Sequence, residues 1–101
     1  FNTWFEALDF MTDEIKKIDF DVAIIGCGAY GFPLAARIKE MNKQAIHLAG
    51  ATQLLFGIKG SRWEQGRNKA IFEKIFNEHW IRPLEVEKPK KAETIEGACY
   101  W

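Results

Sequence analysis

A chain of 101 residues suits a single domain, and 48% apolar residues, with eight Phe, four Trp and two Tyr, supply enough core to argue against disorder. Fourteen basic and fourteen acidic residues cancel, so bulk charge points away from nucleic acid and from anionic membranes. No apolar run approaches the roughly 18–20 residues of a membrane span. Glu6 and Asp9 do not fit a signal peptide, and Cys27 and Cys99 have no metal spacing; the expectation is a cytoplasmic, reduced protein.

The first predicted element is a helix. Thr3 with Glu6 three residues on forms a capping-box pattern, and Trp4, Leu8, Met11, Ile15 and Ile18 share one helical face. Lys16 and Lys17 suit its C-terminal end, while Asp13-Glu14 is where it could break in two. Asp19-Phe20-Asp21 spells a D-x-D, a metal–diphosphate motif in many sugar transferases. It precedes a strand, whereas such carboxylates act where strands end, so it reads as a turn.

Val22 to Ile25 reads as a buried strand and runs directly into Gly26-Cys27-Gly28-Ala29-Tyr30-Gly31, a G-x-G-x-x-G. In such a motif the first Gly allows the tight turn, the second lets a pyrophosphate approach the backbone, and the third lets helix and strand pack closely. The helix that follows starts near Phe32 with Pro33 in its first turn. Leu34, Ile38 and Met41 face inward, Arg37, Lys39 and Glu40 face water, and Asn42 ends it. Its free N–H groups and positive dipole end would face an anion. A second strand, Gln44 to Leu48, completes a β-α-β unit with parallel strands.

Beyond it, Ala49 to Gln53 leaves the sheet at the edge carrying the glycine loop, with a short helical stretch from Thr52 to Phe56 ended by Gly57. Residues 59–67 form a basic loop with Lys59, Arg62 and Arg67 opposed only by Glu64. A further helix is expected from Asn68 to His79, with Ile71, Phe72, Ile75 and Phe76 on its apolar face. Residues 85–101 read as an extended arm whose Cys-Tyr-Trp tip docks on a surface. The expected fold is thus a Rossmann-like α/β three-layer fragment over residues 1–84, with a short parallel sheet, helices on its faces, and the arm. Two strands are few for a sheet, and the chain starts at Phe1 without a Met. The expectation is a C-terminal part of a longer protein, or a homodimer that covers the edges.

The candidate ligand-binding residues are Gly26, Gly28, Ala29, Tyr30, Gly31, Gly50, Thr52, Gln53, Lys59 and Arg62. Tyr30 could stack on a base or cover the sheet edge. Thr52 and Gln53 could bond a ribose or cap a helix, and Lys59 and Arg62 could clamp a pyrophosphate or sit solvated. His47 reads as a half-buried histidine of the Ala45 face or as a base. Cys27 reads as a loop filler or as a nucleophile whose pKa the helix terminus lowers, and Trp63 as core or as a ligand-stacking residue. An NAD(P)/FAD-type dinucleotide module is one alternative. It lacks support where an acid should follow the second strand about 20 residues after the first glycine, because that region reads Ile46-His47-Leu48-Ala49-Gly50. A non-catalytic interaction domain is the other alternative.

The run from Asp21 through the glycine loop to Trp63 resembles the C-terminal part of bacterial glycosyltransferase-like proteins of the D-type fold (GT-D), found among surface-polysaccharide synthesis proteins. The resemblance spans residues 20–63. It implies a Rossmann-like nucleotide-sugar domain that transfers a sugar from a nucleotide diphosphate. It gives a binding role to Gly26, Gly28, Tyr30 and Gly31, and to His47, Gly50, Thr52 and Gln53. It also implies that the catalytic acids, and any divalent metal they hold, lie N-terminal to this segment. These residues alone would then be inactive; Lys59 and Arg62 would neutralise leaving-group charge.

Overall fold

The first helix, α1, forms over Trp4–Lys16. Thr3 Oγ1 accepts the Glu6 N–H at 3.1 Å, as expected of an N-cap. Glu6 reaches back one residue further than a capping box requires, to the Asn2 N–H at 2.8 Å. No break occurs at Asp13-Glu14. Both acids pair with a lysine one turn on, Asp13 with Lys16 and Glu14 with Lys17, and the helix continues between them. Ile18 lies beyond the helix end and is exposed, so it does not extend the apolar face.

The computed structural model describes residues 1–101 and divides into two units, Phe1–Thr52 and Gln53–Trp101. In the first unit α1 is followed by strand β1 (Val22–Ile25), helix α2 (Gly31–Glu40) and strand β2 (Gln44–His47). The two strands pair in parallel, Val22 with Gln44 through Ile25 with His47. A parallel pair needs a crossover, and α2 supplies it. The core is Leu8 from α1, Ile25 from β1, and Leu34 and Ile38 from α2, edged by Met11, Ile15, Phe20, Ala23, Ala35 and Ala45. Ala23, Ile25 and Ala45 lie on the helix-covered face by strand alternation.

The opposite face carries Val22, Ile24 and Ile46, which remain 44%, 51% and 48% exposed. The expected three layers are therefore met on one face only: two helices cover one side of the sheet, and the other is bare. Mixed α/β with a two-stranded parallel sheet is what the chain forms.

Helices α1 and α2 are joined by a polar link that the helical pattern alone does not reveal. Arg37, expected to face water, sends Nη1 to Asp9 Oδ1 at 2.6 Å and to the Thr12 hydroxyl at 2.9 Å. Thr12 is buried and donates to Leu8 O at 2.7 Å, so its hydroxyl is satisfied in both directions. Helix α2 ends in a Schellman motif. Asn42 sits at φ +58°, Lys43 N–H bonds Ile38 O, and Asn42 N–H bonds Lys39 O.

The second unit is built from short turns around aromatic side chains. Its only α-helical stretches, α3 (Ser61–Glu64) and α4 (Lys69–Phe72), have four residues each. The long helix expected over 68–79 stops at Phe72. Ile71 and Ile75 on its apolar face are 60% and 51% exposed, so packing does not support it. Asn77 then accepts the His79 N–H on its side chain at 2.9 Å and the Trp80 N–H on its carbonyl at 3.1 Å, a local turn that competes with helix.

Residues 85–101 are not extended. They form three single-turn 3-10 segments with Ala92 and Ala98 buried. Their tip docks within the second unit: Cys99 O accepts Arg62 N–H at 2.8 Å and Trp101 O accepts Ser61 N–H at 3.1 Å. The last carbonyls of the chain thereby satisfy the first orphan donors of α3. Gly60 permits this approach, since a Cβ there would lie 2.8 Å from the Tyr100 carbonyl. Trp63 is buried beside Phe72 and Tyr100 as a core residue of this unit.

Candidate functional site

The glycine loop joins β1 to α2 as a single 3-10 turn, Gly28–Tyr30, that leads into the helix. Gly28 has φ +53°, a left-handed conformation that favours glycine. Tyr30 N–H bonds Cys27 O, and Gly31 N–H bonds Gly28 O. The Gly28 and Ala29 amides precede the first hydrogen bond of this turn and are its orphan donors. No side chain caps α2, and the positive end of its dipole lies beside these two amides.

Each of the three glycines has a different neighbour. A Cβ on Gly28 would meet nothing within 4 Å. A Cβ on Gly26 would lie 2.6 Å from Thr52 Oγ1 and 2.8 Å from Ala49 O, so the segment leaving β2 crosses directly over it. A Cβ on Gly31 would lie 2.0 Å from His47 Cε1. The third glycine admits an imidazole ring, which is further packed edge-on against Phe32 at 4.9 Å. His47 Nδ1 is buried in that contact and has no hydrogen-bond partner. His47 thus ends β2 as a packing residue of the helix terminus.

The remaining loop residues are also engaged. Tyr30 stacks on Trp4 of α1, with ring centroids 4.9 Å apart and planes 7° from parallel. Nothing in the loop sequence points to that partner. Cys27 packs against the core, and burial pushes its thiol pKa up. The direction is opposite to the lowering expected from the helix terminus, and the side chain sits against the core as a filler. Thr52 Oγ1 donates to Ile25 O at 3.3 Å, where Leu48 N–H also bonds at 3.0 Å. Gly50 lies in the 3-10 segment Ala49–Phe56, but the left-handed residue there is Ala49, at φ +50°.

Gln53, Lys59 and Arg62 belong to the second unit. Gln53 Nε2 donates toward three main-chain carbonyls, those of Ile58, Lys59 and Tyr100, at 3.4, 3.2 and 3.2 Å. Lys59 Nζ lies 5.2 Å over the Phe76 ring. Arg62 pairs with Glu96 at 3.0 Å, donates to the Tyr100 hydroxyl, and lies over the Tyr100 ring. Glu64 pairs with Arg82. Lys59, Arg62 and Glu64 therefore have internal partners that the sequence did not disclose, because those partners lie 17 or more residues away along the chain.

Comparison with family models, curated proteins and solved structures yields no match to this chain. No helix is long and apolar enough to cross a membrane. No group of three His, Cys, Asp or Glu side chains is placed to hold a metal ion.

Proposed function

We propose that the first unit binds the diphosphate of a nucleotide sugar at the glycine loop, as the C-terminal segment of a GT-D-like sugar transferase. One observation carries this reading. Gly28 is left-handed and unobstructed, and its turn leads into a ten-residue helix that no side chain caps. The anion would rest on the Gly28 and Ala29 amides, with the α2 dipole as counter-charge. Gly26 and Gly31 serve the same loop indirectly, by letting Thr52 and His47 pack against it. Catalytic acids would come from elsewhere in a larger protein.

A nucleotide diphosphate fits better than NAD(P) or FAD. The end of β2, where a ribose-binding acid is expected, is occupied by His47, and that ring is turned onto Gly31. The second reading is an interaction unit. It is favoured by the bare Val22, Ile24 and Ile46 face and by two strand edges with no further partner.

Thermal unfolding with UDP, GDP, NAD and inorganic diphosphate separates them. Under the nucleotide-sugar reading the nucleoside diphosphates raise Tm, with about 2.7 kcal/mol of stabilisation at a hundredfold excess over Kd, and Gly28→Val abolishes the rise. No shift with any ligand, or an unchanged shift in a Gly28→Val protein that retains its circular dichroism, removes the loop as a binding site.

A further inference from the structure

The second unit contains a cleft of about 350 Å³ whose walls include Ile58, Ile81, Pro83 and Trp101. Its size lies at the lower end of the range for small-molecule sites, roughly 300–1,000 Å³. The strand-like bridge between Ile58 and Ile81 holds one wall, with Lys59 N–H on Ile81 O at 2.7 Å and Ile81 N–H on Gly57 O at 2.9 Å.

The polar groups of this cleft are short of donors. Gln53 has two N–H bonds, yet three carbonyls converge on its Nε2, so one acceptor is only partly satisfied. That convergence fixes the amide orientation and leaves Gln53 Oε1, which has no hydrogen-bond partner, as one more acceptor. Glu87 is the only charged residue lining the cleft, and one of its oxygens accepts the Leu84 N–H at 2.7 Å. The adjacent Lys88 does not neutralise it, because Glu93 holds that ammonium at 2.6 Å. Trp101 offers an indole with no cation over it, whereas the neighbouring Tyr100 ring is already covered by Arg62.

We propose that this cleft binds a small primary ammonium compound with an apolar body, the body against Ile58, Ile81, Pro83 and Trp101 and the ammonium toward Glu87 and the Gln53 acceptors. Three N–H donors and one positive charge complement a site with surplus acceptors and a single carboxylate. The indole adds a cation–π surface. An anion of the same shape meets Glu87 with like charge, and a neutral alcohol supplies too few donors.

The test compares phenethylammonium, 2-phenylethanol and 3-phenylpropionate on the full chain, read from amide and indole N–H shifts in two-dimensional NMR. Phenethylammonium should give saturable shifts centred on the Trp101 indole and the Gln53 side-chain amide. The alcohol should bind at least fivefold more weakly, and the carboxylate should not bind. Glu87→Gln keeps a residue able to bond the Leu84 N–H, and should weaken phenethylammonium about five- to tenfold while leaving the alcohol unchanged. Raising salt should weaken the ammonium alone, a readout independent of the variant's folding. Equal binding of all three probes, no saturable shift with phenethylammonium, or wild-type ammonium affinity in a folded Glu87→Gln protein overturns the proposal.

Discussion

Replacing Gly31 by Ala tests why the third glycine of the loop is there. Gly31 has φ −59°, which any residue adopts, so backbone strain is not at issue. As the first residue of α2 it would gain at most about 1 kcal/mol of helix propensity from Ala. Against that gain, the new methyl would sit 2.0 Å from His47 Cε1 and 2.3 Å from Nδ1, and Phe32 packs against the same ring. Overpacking of this kind costs about 1–3 kcal/mol, so the net loss should be about 1–2 kcal/mol. His47→Ala alone should cost about 1 kcal/mol or less. It loses ring contacts but also removes a buried nitrogen that has no partner, itself a penalty of about 1–3 kcal/mol. In the His47→Ala background the Gly31 methyl has room, so Gly31→Ala becomes neutral or stabilising. The double-mutant cycle should therefore show at least ~1 kcal/mol of favourable coupling. Urea unfolding followed by circular dichroism measures each corner, with a second probe to confirm coincident transitions. If the two substitutions add within about 0.5 kcal/mol, the ring contact does not explain the glycine.

Three further outcomes follow from the first unit and the thiols. Asn42→Val places a β-branched residue at φ +58° and should cost about 1–2 kcal/mol by urea unfolding, whereas Asn42→Gly should be neutral or slightly stabilising. Arg37→Ala removes both the partly exposed Asp9 pair and the bond to Thr12. A loss of about 1 kcal/mol is expected in the same assay, and Asp9→Ala should account for the smaller share. Burial raises the Cys27 thiol pKa, and burial followed by the Glu96 hydrogen bond raises that of Cys99. Both thiols should react with iodoacetamide more slowly at neutral pH than in the urea-unfolded chain. The folded state holds these protons more tightly, so stability is full below the unfolded thiol pKa and falls as pH rises through the folded one. Cys27→Ala should flatten that alkaline decline.

What the sequence disclosed depended on how local the signal was. Helices α1 and α2, both strands and their parallel pairing were legible because each rests on a short periodic run or on a cap within four residues, such as Thr3 with Glu6 or Asn42 with Lys39. The second unit was not. Its stability comes from Trp63 under Tyr100, from Gln53 bonded to the Tyr100 carbonyl 47 residues away, and from chain-end carbonyls on α3. None of these leaves a periodic trace, and the apolar 3.6-residue spacing around Phe72 predicts a long helix although nothing covers Ile71 and Ile75. The site divides in the same way. The glycine turn was visible residue by residue, whereas the partners that occupy Tyr30, Arg62 and Gln53 were not.

A G-x-G-x-x-G does not need a ligand to require all of its glycines. Here Gly26 is explained by Thr52 above it and Gly31 by the His47 ring, both contacts internal to the first unit. Either would demand glycine in a protein that bound nothing. Gly28 differs: a side chain there would meet open space, and only its positive φ favours glycine. That φ can be supplied by Asn, which tolerates the left-handed region. Gly28→Asn should therefore leave stability within about 1 kcal/mol of wild type while placing a side chain beside the free amides. If nucleoside diphosphates stabilise the wild type, a Gly28→Asn protein of unchanged fold should lose most of that stabilisation. Full retention would mean that the ligand rests elsewhere and that the whole motif is a matter of packing.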